Sequence, residues 1–284
     1  MYRITQTSIQ DEKIRAYSSL LQSVFPKAAY RLSPSYINWL YKENPLGSVI
    51  GFDAFFEEAL VAHYVTIPVE YWIEGVKKKG VLSLNTATSP AHQGKGLFKM
   101  LAEKTYERAA ELGYEFVVGV ANRNSTHGLT KKLGFDLVSP LDARISYGFH
   151  GDTELLPGIT CAFRSEISEV WLNWRLSNPS QDYKLKRNLI VSDTTIVGLT
   201  SVLTSTQALK APQALSLSRL KNSYSPFNLW IGLNSFVLSR FMSFNIPMRL
   251  RPSPLNLIFK SLKSTNVHFD KREIRFDLID FDAY

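Results

Sequence analysis

Residues 93–98 read Gln-Gly-Lys-Gly-Leu-Phe and stand at the start of a segment, Leu97–Leu112, with the spacing of a helix. Its apolar residues Leu97, Met100, Leu101, Tyr106, Ala109 and Leu112 recur close to a 3.6-residue period. Gly113, just after the last of them, is a stop signal. The first amides of a helix have no partner within the helix, and the positive end of its dipole faces outward. Gly94 and Gly96 free the backbone at that point. The chemistry this allows is main-chain capture of a phosphate or pyrophosphate, with Gln93 and Lys95 adding a side-chain donor and a charge. Glycines at this spacing also occur in plain structural turns.

The elements that would position the loop follow from patterning. An apolar strand, Gly80–Thr88, precedes it, and Pro90 turns the chain. After the helix come a strand, Glu115–Ala121, the turn Asn122–Ser125, a second short helix, and Lys131–Phe135 (Lys-Lys-Leu-Gly-Phe). This order resembles the GNAT superfamily of acyl-CoA-dependent N-acyltransferases. The family's phosphate loop, Gln/Arg-x-x-Gly-x-Gly/Ala, is matched by Gln93–Phe98. Its later landmark, an Asn-bearing turn followed by a helix ending in Leu-Gly-Phe, is matched by Asn122, Asn124 and Leu133-Gly134-Phe135. The resemblance spans roughly Leu60–Phe149.

The resemblance implies a GNAT fold, in which a central mixed sheet is flanked by helices, and acetyl-CoA or another acyl-CoA as cofactor. It implies cofactor contacts from Ala87, Thr88, Gln93, Gly94, Lys95, Gly96, Leu97 and Phe98, with Asn122 and Asn124 across the gap between two splayed parallel strands. The backbone of Ala87 and Thr88 would pair with the pantetheine arm. The sequence departs from the family at Phe98, where a small residue is usual, and at Thr130, where many members carry a tyrosine that protonates the departing thiolate.

Acyl transfer to an amine also needs a group to take the ammonium proton. The strand that often carries a carboxylate in the family offers Ser83, Asn85 and Thr86. Three catalytic candidates stand out. His127 lies one helical turn before Thr130, on the same face. His63 sits in a strand between Ala62 and Tyr64, and Asn85 is on the strand before the loop. Each histidine has a bland reading as well, as a cap or as a satisfied structural residue. Glu57 and Glu58 fit a solvated hairpin, and Tyr106 and Trp39 fit the core.

Composition sets the outer limits. A chain of 284 residues can bury a substantial core, and its hydropathy and charge are those of a globular α/β protein. It has no run of eighteen apolar residues to span a membrane, and no apolar leader follows Met1. Cys161 is the only cysteine, which rules out an internal disulfide and a thiolate metal cluster; no metal site is expected. These features fit a cytoplasmic enzyme. The net charge of +8 is concentrated between Lys184 and Asn266, where Asp193 is the only acid. Such a face attracts anions, but aromatic residues and lysines do not interleave as in a base-stacking groove, so no nucleic-acid partner is expected.

The polar, turn-rich stretch His150–Gly158 reads as a linker. It divides the chain into an acyl-CoA-binding domain, 1–150, and a second unit, 151–284. The second unit echoes the first. Asn38-Trp39 precedes Asn44-Pro45, and Asn173-Trp174 precedes Asn178-Pro179. A duplicated, degenerate GNAT-like domain that shapes the acceptor pocket is the expectation. The expected activity is acetyl transfer from acetyl-CoA to the primary amine of a small molecule, such as an amino sugar or nucleotide sugar. The alternatives are an aminoacyl-tRNA-dependent Fem-type transferase and a non-catalytic CoA-binding module.

Overall fold

The computed structural model describes residues 1–147, 161–186, 189–193, 199–205, 226–233, 243–263 and 269–281. Strand β1 (Arg3–Gln6) pairs antiparallel with β2 (Ile50–Phe56), and helices α1 (Asp11–Val24) and α2 (Pro34–Lys42) lie between them in sequence. Pro26 opens a 3-10 turn, Pro26–Arg31, instead of continuing α1. The Ser33 side chain accepts the Tyr36 N–H and Pro34 takes the first helical position, so α2 starts where the capping residues say it should.

Strand β3 (Ala59–Ile73) runs unbroken through Pro68. Its carbonyl takes the Asn44 side-chain amide at 3.0 Å, and β2 ends opposite Thr66, so the missing proline N–H faces an edge with no strand partner. The hairpin to β4 (Val76–Thr88) is tight, and the strand begins before the Gly80 at which patterning started it. Only Glu74 and Gly75 turn, both at positive φ, and Lys77–Lys79 belong to the strand. Cross-strand charge explains the difference, because Lys77 Nζ reaches Glu70 at 2.7 Å.

Helix α3 (Leu97–Glu111) ends before Gly113, which has φ +87°, and β5 (Phe116–Ala121) returns parallel to β4. Asn122 then caps the short helix α4 (Arg123–His127) by accepting the N–H groups of Asn124 and Ser125. A π turn, Gly128–Lys132, leads to β6 (Asp136–Pro140) and β7 (Asp142–Tyr147).

The second half supplies β8 (Phe163–Ser165), α5 (Glu169–Leu176), β9 (Tyr183–Lys186), β10 (Leu189–Asp193), β11 (Leu199–Ser205), β12 (Phe227–Leu233), β13 (Ser243–Asn245), β14 (Asn256–Ser261) and β15 (Ile274–Asp277). The stretch Met248–Phe259 is a 3-10 turn, Met248–Leu250, followed by β14 rather than one continuous strand. Pro252 and Pro254 lack the N–H groups a ladder needs. Strand β15 stops at Asp277, which caps a 3-10 turn, Leu278–Asp280. The expected linker, His150–Gly158, lies outside the described residues.

The described strands form one sheet, ordered β6-β14-β5-β4-β3-β8-β15-β12-β11-β10-β9. It is mixed, with parallel β4–β5, β8–β15 and β11–β12 pairs among antiparallel ones. Strand β14 comes from the second half, yet it lies between β5 and β6 of the first and is antiparallel to both. In exchange, β7 leaves the first half to pair with β12 and β13. Helices cover both faces. Leu97, Leu101 and Tyr106 of α3 pack on one, while Ile14, Tyr17 and Leu21 of α1 and Ile37 and Trp39 of α2 pack on the other. Among the described residues no helix is long and apolar enough to cross a membrane.

Candidate active site

The sheet opens at its centre. Strands β4 and β5 pair from Gly80–Phe116 to Ser83–Gly119, and beyond that point they diverge. Just past the split, the β3–β4 register slips. His63 faces Ala87 and Val65 faces Leu84, so Asn85 and Thr86 together oppose Tyr64. Asn85 carries this bulge at φ +46°, a left-handed conformation that asparagine tolerates better than most residues.

A buried hydrogen-bonded chain holds the bulge from behind. Asn85 Nδ2 donates to the Tyr41 hydroxyl at 3.2 Å, and Tyr41 lies 2.8 Å from His63 Nε2. His63 Nδ1 is 2.7 Å from Asp53 Oδ1, and Tyr17 donates to Asp53 Oδ2 at 2.7 Å. His63 and Asp53 are 0% and 1% exposed, and both ring nitrogens and both carboxylate oxygens have hydrogen-bond partners. Burial pushes the Tyr41 phenol well above its ordinary range, with the Asn85 bond opposing the shift. Tyr41 therefore stays protonated, a positioning group rather than a base.

The loop before α3 is open. Gln93, Gly94, Lys95 and Gly96 are exposed, and the Gln93 side chain bridges back to the Thr88 carbonyl at 3.2 Å. Gly94 and Gly96 have φ +74° and +77°, and a Cβ at either position would meet open space. Among the described residues, no acceptor takes the main-chain N–H of Gly94, Lys95, Gly96, Leu97 or Phe98. Leu97 anchors the helix start in the core at 2% exposure, and the Phe98 ring packs at 5.8 Å from Tyr64. The larger residue at 98 thus fills space beside Gly128, where a Cβ would lie 3.3 Å from the ring.

A cavity of about 540 Å³ opens along the split. Leu82–Thr86, Val120, Asn122 and Asn124 line it on the sheet side, and Phe98 and Gly128 at the mouth of α3. Tyr36 and Trp39 of α2 and Trp171 and Trp174 of α5 form an aromatic wall, so both halves of the chain build it. Its charged lining residues are Arg175 and Asp280. Arg175 Nε donates to the Ile279 carbonyl at 2.9 Å, and its guanidinium lies 5.9 Å from the Trp39 ring.

Of the sequence candidates, Asn85, Phe98, Asn122 and Asn124 reach the cavity. Ala87 is 2% exposed and Thr88 half-buried on the same strand edge, beside the loop. His63 is enclosed and meets the site only through Tyr41 and Asn85. His127 is exposed on α4 and is not among the lining residues. Thr130 donates its hydroxyl to the Thr126 carbonyl at 2.8 Å. Sequence reasoning missed Arg175 and Asp280. Their only signal was indirect: Arg175 directly follows the repeated Asn-Trp pair.

A family model described as an acetyltransferase (GNAT) domain matches residues 6–138. Among solved structures, the fold matches a conserved protein of unknown function from Enterococcus faecalis V583, described as a probable N-acyltransferase. It has a TM-score of 0.60 and 11% identity, over 92% of this chain and 73% of that one. A GCN5-related N-acetyltransferase from Anabaena variabilis ATCC 29413 aligns with a TM-score of 0.59 and 11% identity over the same shares. Eis1 from Mycobacterium abscessus aligns at 0.52 and 10%, over 92% of this chain and 74% of that one. No curated protein sequence matches the chain significantly.

Proposed function

Residues 6–138 form a GNAT acetyltransferase domain, and from that premise we propose that the chain is an acyl-CoA-dependent N-acyltransferase acting on the primary amine of a small molecule. One observation carries the reading. Five consecutive main-chain N–H groups, from Gly94 to Phe98, have no acceptor among the described residues at the mouth of α3, beside the point where β4 and β5 part. That is a diphosphate receptor next to a slot for an extended arm. The residues therefore fit acyl-CoA, which supplies the activated thioester.

The chain's own groups divide the remaining work. Gly94–Phe98 and Lys95 hold the diphosphate, and the free edge of β4 at Ala87 and Thr88 pairs with the amide arm. Asn122 and Asn124 close the opposite side. The Asn85 bulge turns main-chain groups toward the cavity, and the Tyr41–His63–Asp53 chain keeps them in place. His63 is thereby a positioning residue. The aromatic wall from α2 and α5 excludes water and receives the acceptor, which gives the second half its part in the site. We assign the two halves as copies of one unit, the second lacking a glycine loop.

Calorimetric titration with acetyl-CoA tests the reading, followed by thiol release across a panel of amines. Micromolar binding and amine-dependent thiol release are expected. No binding at millimolar cofactor would overturn the proposal. A salt-dependent tRNA complex without CoA binding would put the aminoacyl-tRNA alternative in its place.

A further inference from the structure

One carboxylate on the cavity wall has acceptor capacity left over. Asp280 is 6% exposed, and its Oδ2 accepts the Asp277 N–H at 2.6 Å. Its Oδ1 is buried and makes no hydrogen bond among the described residues. A buried carboxylate oxygen without a donor is expensive, and native structures rarely keep one without a use.

Among the described residues, the surrounding charges leave it uncompensated. Asp277 is a like charge and raises the Asp280 carboxyl further, while Arg275 lies 3.8 Å from Asp277 and lowers Asp280 only weakly. Hydrogen bonding from the Asp277 N–H and the Ser165 side chain favours the ionised form but is outweighed by burial, and neither bond brings a positive charge. Arg175 spends Nε on the Ile279 carbonyl and Nη1 on the Tyr183 hydroxyl. Tyr71, on β3, is itself pushed up by burial and by Asp280.

Around the carboxylate the cavity is aromatic, with Tyr36, Trp39, Trp171, Trp174 and Phe281 on its walls. Ring faces attract cations, most strongly those of tryptophan, and they favour an apolar body over a hydroxylated one. A sugar would leave most of its hydroxyls unpaired against such walls.

We infer that Asp280 is the cation anchor of the acceptor site, which takes an amphipathic amine with its protonated nitrogen on the Asp280 carboxylate and its aryl or alkyl body against Trp39, Trp171 and Trp174. The inference rests on the cavity being the acceptor site of the proposed acyltransferase, and it moves the acceptor class from amino sugars to arylalkyl or alkyl amines.

The test is equilibrium binding to the full chain at pH 8 without CoA, followed by tryptophan fluorescence. The probes are 2-phenylethylamine and its neutral counterpart 2-phenylethanol. The amine is expected to bind at least tenfold more tightly than the alcohol. Asp280→Asn is expected to lower amine affinity tenfold or more while leaving the alcohol within twofold, which also reports that the cavity is intact. Asp280→Glu is expected to recover part of the preference. Equal binding of amine and alcohol, unchanged amine affinity in Asp280→Asn, or no amine binding at millimolar concentration would each overturn the inference. The acetyl-CoA titration is separate. A chain that binds the amine through Asp280 but not acetyl-CoA loses the acyltransferase reading and keeps the anchor, and the reverse result removes the anchor alone.

Discussion

Trp39 and Trp174 each donate an indole N–H to the other's main-chain carbonyl, at 2.9 and 3.2 Å, with rings stacked at 4.8 Å and planes 18° apart. The exchange is reciprocal, as across a twofold axis. The flanking structure repeats as well. Ser33 and Ser168 cap the two helices by accepting the N–H three residues on. Asn44 and Asn178 each accept the N–H two residues on, at 3.0 and 2.9 Å. The tryptophans of the recurring Asn-Trp pairs thus meet face to face, each followed by an Asn-Pro turn of the same form, and both line the cavity. This contact supports the reading of two copies of one unit built around a shared site.

Removing one indole donor tests how far that contact holds the halves together. Trp174→Phe keeps a ring for stacking but removes one of the two donors to the buried Trp39 carbonyl, leaving the Glu43 N–H at 3.3 Å. A carbonyl that keeps its second donor loses only the net worth of one hydrogen bond, about 0.5–1.5 kcal/mol, and urea denaturation should register a loss of that size. Trp39→Phe should cost a similar amount. The double variant should cost less than the sum of the two, because the two bonds belong to one contact. Strict additivity would mean that the tryptophans act independently.

Local features were the most legible. The helix from Leu97, its stop at Gly113, and the Ser33-Pro34 start of α2 depend on neighbours in sequence, and each formed where patterning put it. Features set by distant partners were not legible. Nothing in Asn256–Ser261 says that this strand enters the first half's sheet between β5 and β6, because any apolar strand of that length could do so. The bulge at Asn85 depends on a register slip opposite Tyr64, and the partner of His63 is Asp53, on the adjacent strand. Asp280 sits in a short acidic stretch that looks like a solvated tail. Only the close of the sheet brings it to the cavity.

The loop glycines separate strain from binding. Gly96 has φ +77° with open space where a Cβ would go. Gly96→Ala therefore meets no clash and bears only the left-handed backbone penalty, about 1–2 kcal/mol. Acetyl-CoA affinity should fall about tenfold or more as the loop relaxes away from its anion-holding shape. Gly75, in the β3–β4 turn with φ +76° and equally open surroundings, is the matched control. Gly75→Ala should show the same stability change with unaltered affinity. Equal affinities in the two variants would remove the loop from the cofactor site.

The buried chain behind Asn85 should show two distinct responses. Asp53→Ala strips partners from His63 and Tyr17 in a fully buried setting and from Thr7 at its edge. A loss of about 2–5 kcal/mol is expected, since two buried polar groups are left unsatisfied at about 1–3 kcal/mol each. Tyr41→Phe removes only a hydroxyl, and stability should fall by roughly 1–3 kcal/mol. Because that hydroxyl receives Asn85, acyl transfer in Tyr41→Phe should drop about tenfold in kcat with little change in the KM for acetyl-CoA. A normal kcat in the folded variant would make the chain purely structural.

Asp280 makes a stability prediction whose sign runs opposite to the usual carboxylate. Burial first, and the charge of Asp277 second, hold its carboxyl at about 6 instead of 3.8. A raised folded-state value means that the native protein keeps this proton over a range where the unfolded chain has released it. Stability from this group is therefore full below about pH 4, falls as pH rises toward 6, and above that carries a constant penalty on the order of 3 kcal/mol. Asp280→Asn removes the charge and retains an oxygen to accept the Asp277 N–H. At pH 7.5 the variant should melt several degrees above the parent, and the gap should close as pH is lowered to 4. Other carboxylates titrate in both proteins and cancel in the difference. A gap independent of pH, or a variant less stable at pH 7.5, would show that the buried charge is not the source. Greater stability together with lost amine affinity would mark Asp280 as a group kept at the expense of the fold for the ligand it holds.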